Sequence, residues 1–129
     1  MNMTIHKSAE DYLEAMLMLK EQRGYVRSID VAEMLGVTKP SVSYATKRLR
    51  ESGYISFDPA GMILLLPPGL EIAERMYERH MLLTELLIGL GVEPEIARED
   101  ACKIEHDLSI ETFDAIREHA RRYSSAHVE

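Results

Sequence analysis

The sequence has no tryptophan, two phenylalanines and one cysteine in 129 residues. A single thiol cannot close an internal disulfide, so the fold must hold by packing, and the expected compartment is the reducing cytoplasm. Long apolar runs are missing as well. The stretch "MILLLPPGL" is short and broken by prolines, well under the roughly 18 to 20 residues of a membrane span. No positive region followed by an apolar stretch opens the chain, so "MNMTIHKSAED" shows no secretion signal. Internal repeats and low-complexity tracts are also lacking. With 46% hydrophobic and 29% charged residues the chain reads as globular rather than disordered. At this length it is one compact unit, or two small subdomains that share a core.

What is present is an uneven charge. The net charge is −7, which taken whole argues against a nucleic-acid partner. Residues 1–66 carry 8 Lys+Arg and 8 Asp+Glu, whereas residues 67–129 carry 7 against 14. Attraction to an anion depends on local charge, so the balanced N-terminal half is read by itself.

That half predicts three helices and a hairpin. "SAEDYLEAMLMLKEQRG" reads as a helix capped by Ser8 and stopped at Gly24, with Tyr12, Ala15, Met16 and Leu19 facing a core. "RSIDVAEMLGV" gives a second helix, with Ser28 as cap, Ile29, Val31, Ala32 and Leu35 apolar, and Gly36 as terminator. "TKPSVSYATKRLRESGYI" opens a third on Thr38, with Pro40 in the first turn where its missing N–H costs nothing. Val42, Ala45 and Leu49 form its buried stripe and Gly53 closes it. "YISFD-PAG-MILLL" is two short strand-like runs around a turn, a hairpin. From Pro67 the texture becomes helical again: a long helix to Gly89–Gly91, a second over "EPEIAREDACKIEHDL", and a third over "SIETFDAIREHARRY" capped by Ser109. The fold class is mainly α, with residues 1–66 as one domain and 67–129 as a helical second one.

Two short helices joined by "GVTKPS" and followed by a hairpin have the layout of a winged helix-turn-helix, whose second helix enters the major groove of DNA. Thr38, Lys39, Pro40, Ser41, Ser43, Tyr44, Lys47, Arg48 and Arg50 present hydroxyls and cations against the single acid Glu51, and Arg27 joins this candidate DNA-binding set. Hydroxyls and a tyrosine near the helix start suit base edges or phosphates, and the later cations suit phosphates. A solvated basic face is the plain alternative. The cap, the Gly36 turn, the basic bias and the hairpin together favour double-stranded DNA. The wing segment "FDPAGM" has no basic residue, so poor phosphate contact is expected there.

A second constellation is chemical. In "CKIEHD", Cys102, Glu105 and His106 stand at i, i+3 and i+4, so one helix face is expected to present all three. Asp11 and Glu14 form an acidic i, i+3 pair, and His80 sits within "ERHMLLTELL". Each has an ordinary reading: a packed cysteine, solvated side chains, a capping aspartate, a partly buried histidine. His6, His119 and His127 read as solvated, and the methionines of the first helix as core.

In order along the chain, "ED-YLEAM", "DVAEMLGVTKPSVSYATKRL", "RH-LL" and "D-AC-IEHDLS" resemble the diphtheria toxin repressor family of metal-activated transcriptional repressors. The resemblance spans roughly residues 5 to 123. It is nearest to the manganese transport regulators, which lack the C-terminal SH3-like domain that this chain is too short to hold. It implies Asp11, Glu14, His80, Glu105 and His106 as metal ligands. Cys102 departs from the manganese branch, which has a bridging glutamate there, and matches the iron-responsive branch. Asp11 matches the manganese branch. Thr84 and Arg98 stand where the iron branch has ligands of an ancillary site, so fewer ions than a bridged pair are expected.

Four potential anions, Asp11, Glu14, Cys102 and Glu105, repel one another unless a cation neutralises them. Mn²⁺ or Fe²⁺ suits the carboxylates, and Zn²⁺ or Co²⁺ is a possible occupant. The expected function is metal-dependent repression, of metal-uptake genes by the resemblance, by a homodimer on a palindromic operator. Rival readings are a winged-helix regulator sensing an organic ligand or thiol oxidation, and a small metalloenzyme. No nucleophile–base motif supports the enzyme.

Overall fold

The computed structural model describes residues 7–126, with side chains described to residue 122. The elements are α1 (Lys7–Arg23), α2 (Ser28–Leu35), α3 (Lys39–Glu51), β1 (Ile55–Phe57), β2 (Ile63–Leu65), α4 (Pro67–Gly89), α5 (Pro94–Ile104) and α6 (Ile110–Ala126). This is the predicted order of three helices, a hairpin and three helices. The chain divides into two compact units, Met1–Tyr77 and Glu78–Glu129, with the division inside α4.

The first unit is built around α1. Tyr12, Leu13, Ala15, Met16, Leu17 and Leu19 are all buried, so the apolar face is wider than the single predicted stripe. Each such large side chain contributes about 1.5–3 kcal/mol by leaving water. Val31, Val42, Leu49, Ile55, Ile63 and Ala73 complete this core. Gly36 takes a left-handed conformation, φ 67°, and turns the chain from α2 to α3. Thr38 caps α3 as expected, accepting from the Ser41 amide at 3.2 Å.

The wing is an antiparallel pair in the register Ile55↔Leu65, Ser56↔Leu64, Phe57↔Ile63. Its turn is held by Asp58, whose Oδ1 accepts from the amides of Ala60 (2.9 Å) and Met62 (2.8 Å). Val26, between α1 and α2, accepts from the Ile63 amide at 2.8 Å and ties the wing to the helices. At Gly69, in the first turn of α4, a Cβ would collide with the Tyr54 carbonyl oxygen. Only glycine lets α4 start this close to the hairpin.

Two expectations about these helices are corrected. Ser8 lies inside α1 rather than capping it. Arg27, not Ser28, is the N-cap of α2, and its side chain makes no capping bond, because a guanidinium has no acceptor to offer the first-turn amides. Of the apolar residues of α2, Val31 and Ala32 are buried and Ile29 is exposed.

In the second unit Leu83, Thr84, Ala97, Ala101, Glu105 and Phe113 are buried. The Phe113 ring carries two guanidinium groups, Arg79 at 5.1 Å and Arg117 at 5.0 Å from its centroid. Ser109 caps α6 as expected, accepting from the Thr112 amide at 3.0 Å. The helix predicted over 93–108 is shorter: α5 ends at Ile104, Glu105 is its C-cap, and 105–107 form a turn. His119 is exposed, whereas His6 and His127 lie outside the described residues. No helix among the described residues is long and apolar enough to cross a membrane.

Candidate metal centre and nucleic-acid interface

The candidate DNA-contacting face is α3. Thr38, Lys39, Pro40, Ser41, Ser43, Tyr44, Lys47, Arg48 and Arg50 are all exposed, whereas Val42, Thr46 and Leu49 are buried on the opposite side. Thr46 satisfies its hydroxyl internally, donating to the Val42 carbonyl at 2.8 Å. Tyr44 is the most open of the aromatics whose side chains are described, 63% exposed. Arg48 Nη1 donates to its hydroxyl at 2.9 Å and the guanidinium lies 5.6 Å from its ring centroid. Arg50 lies over Phe57 of the wing, 5.7 Å from its ring centroid.

Arg27 is committed elsewhere. Its Nε and Nη2 donate to the two carboxylate oxygens of buried Asp30 at 2.8 and 3.1 Å, and Arg23 reaches the same carboxylate at 2.9 Å. These bonds, that of Arg27 first, hold the Asp30 carboxyl below its ordinary range. Half of the Arg27 side chain remains exposed, so one face of the guanidinium can still meet a phosphate.

The candidate metal ligands fall in both units. On α1, Glu14 is buried and Asp11 half-buried, one helical turn apart. Asp11 also borders a cleft of about 890 Å³ whose other side is formed by Tyr44, Arg48 and Tyr54. In the second unit three candidates come together. Glu105 is fully buried; its Oε1 accepts from His80 Nδ1 at 3.1 Å, and its Oε2 lies 3.4 Å from His106 Nε2. That second contact is an ion pair only when the imidazole is protonated, and Oε2 accepts no hydrogen bond from the described residues. A buried carboxylate oxygen without a donor is costly unless a cation faces it. Glu105 flanked by two imidazoles is therefore a donor set that fits a divalent transition metal.

Cys102, expected on the face of Glu105 and His106, is exposed, while Ala101 and Glu105 take the buried positions. Of the two ancillary positions, Thr84 is buried with a hydroxyl that has no hydrogen-bond partner among the described residues, and Arg98 is exposed.

Arg79 was not anticipated. Its Nη1 donates to the carbonyls of Glu105 and Leu108, each at 2.9 Å. A signal was available: Arg79 is three residues after buried Met76 and four before buried Leu83, which places it on the inward stripe of α4.

The comparisons agree with this architecture. Residues 4–62 match the family model "Iron dependent repressor, N-terminal DNA binding domain". Residues 67–125 match "Iron dependent repressor, metal binding and dimerisation domain". The transcriptional regulator MntR of Salmonella typhimurium is 42% identical over 106 residues, covering 82% of this chain and 68% of the relative. The HTH-type transcriptional regulator MntR of Bacillus pumilus is 38% identical over 109 residues, covering 84% and 76%. The crystal structure of the metal-dependent transcriptional regulator MtsR is 30% identical, with a TM-score of 0.80, over 92% of this chain. The chain spans 55% of the length of that solved structure. It belongs to the iron-dependent repressor family of metal-dependent, DNA-binding transcriptional regulators, also called the diphtheria toxin repressor family.

Proposed function

We propose that this chain represses metal-uptake genes when a divalent ion, Mn²⁺ or Fe²⁺, is held by Asp11 and Glu14 of α1 together with His80, Glu105 and His106 of the second unit. The observation that carries the reading is Glu105: fully buried, between two imidazoles, with one oxygen that accepts no hydrogen bond from the described residues. Carboxylates and imidazoles are the donors that Mn²⁺ and Fe²⁺ share. Cys102, which is exposed, is a candidate sixth ligand. A divalent ion supplies the positive charge that lets these acidic groups be buried together.

The chain's own residues account for the response. α1 carries two ligands on one side, and Asp11 lines the cleft that Tyr44 and Arg48 of α3 also line. Holding α1 therefore restricts the helix that presents Ser41, Ser43, Tyr44, Lys47 and Arg48 to DNA. The ion can favour the DNA-competent arrangement only by binding it more tightly than the alternatives.

A homodimer on a palindromic operator is the matching assembly, because two α3 helices must read two half-sites. Exposed Leu90, Ile96 and Ile110 in the second unit supply apolar surface for it. The test is a gel-shift titration of the full chain on the promoter region of a metal-uptake gene, with Mn²⁺ and with chelator. Binding in Mn²⁺ that chelator abolishes supports the proposal. Equal affinity in both overturns it.

A further inference from the structure

We infer that Arg79 is a positioning residue for the metal centre: it fixes the Glu105–Leu108 turn so that Glu105 and His106 are set before an ion arrives. The inference rests on the metal reading above and goes beyond its ligand set.

Arg79 and His80 are consecutive on α4 and both reach the same turn. His80 meets the Glu105 carboxylate at 3.1 Å, while Arg79 Nη1 takes the main-chain carbonyls of Glu105 and Leu108 at 2.9 Å each. The turn begins where α5 ends, at a point with no glycine or proline to stop it. Carbonyls at a helix C-terminus lack intrahelical partners, and Arg79 satisfies that of the C-cap residue Glu105 together with that of Leu108, beyond the turn, with one charged donor group. Charge-assisted bonds of this kind are about twice as strong as neutral ones.

The arginine is itself well held. It is 6% exposed, and its guanidinium packs over Phe113 of α6 at 5.1 Å. The turn is therefore gripped by a group fixed between α4 and α6. A ligand pair held this way loses less freedom on binding than one on a mobile turn. Groups that orient metal ligands without touching the ion commonly matter by 10- to 100-fold in affinity.

The test uses the full chain with Mn²⁺ alone as probe, below the unfolding transition. Arg79→Met removes both donors, and Arg79→Lys keeps the charge on a side chain one atom shorter. Calorimetric titration should give Mn²⁺ affinity roughly 10- to 100-fold weaker in Arg79→Met, with Arg79→Lys between it and wild type. Metal-free hydrogen exchange at the Asp107 amide, bonded to the Ile104 carbonyl at 3.1 Å, should be faster in Arg79→Lys than in wild type. A purely structural arginine would lower the melting temperature and leave the affinity of the folded chain unchanged, which overturns the inference. If Arg79→Met does not fold, Arg79→Lys decides in the same way. Glu105→Gln separates the two layers. Affinity lost there but kept in both Arg79 variants overturns this inference alone, whereas no loss in Glu105→Gln overturns the metal reading with it.

Discussion

Glu105 and Cys102 differ more than their spacing suggests. Three residues apart at the end of α5, one is wholly buried and the other exposed, although both were expected to share one helix face. The reason is the position of the core: Ala101 and Glu105, four apart, occupy the inward row, and Cys102 is rotated from it by one residue. As a ligand from the open edge, Cys102 must lose its proton on binding. The account predicts that Cys102→Ala weakens Co²⁺ binding and removes the thiolate-to-Co²⁺ absorption band, while Glu105 and His106 keep the site occupied. Identical spectra and affinities for wild type and variant would remove Cys102 from the ligand set. The residue types of the site could be recognised in the sequence, but their burial could not. Whether an acid at a given helical position points inward depends on which neighbours form the core.

Elements were legible where they carry local stop signals and illegible where tertiary contacts end them. Thr38 with Pro40 opens α3, and left-handed Gly36 closes α2, as the sequence predicts. The end of α5 has no such signal, because Arg79, from another helix, takes the carbonyls at 105 and 108. The start of α2 was misread for a related reason. Ser28 is a good cap by type, but the chain enters the helix one residue earlier, where Arg27 and Arg23 converge on Asp30. This cluster joins the end of α1 to the start of α2 and has a pH signature. The Asp30 carboxyl is held below its ordinary value of 3.8 by hydrogen bonds from Arg27 and Arg23. Its contribution to stability is thus complete above about pH 4 and fades as pH falls through the lowered value. Chemical denaturation of wild type and Asp30→Asn should show a constant difference from pH 7 to about 4 that shrinks below it. A difference that persists unchanged at pH 2 would contradict this linkage.

At the scale of the whole molecule, the charge asymmetry in the sequence follows the division of labour. The balanced half contains the exposed cations of α3, and the acidic half contains Glu105 and most of the surface acids. A net charge of −7 therefore coexists with DNA binding because Lys39, Lys47, Arg48 and Arg50 share α3 with the single acid Glu51. The exposed Leu90, Ile96 and Ile110 predict association. Sedimentation at micromolar concentration should find a dimer, and a monomer alone would contradict the assembly. The central claim is that metal and DNA binding are coupled, and coupling of binding free energies is reciprocal. The most direct measurement is the affinity of the full chain for uptake-gene promoter DNA in Mn²⁺ and in chelator, for wild type and Glu105→Gln. The account predicts tight binding only for wild type in Mn²⁺, with Glu105→Gln in Mn²⁺ resembling wild type in chelator. Wild-type affinity that is the same with and without metal would contradict it.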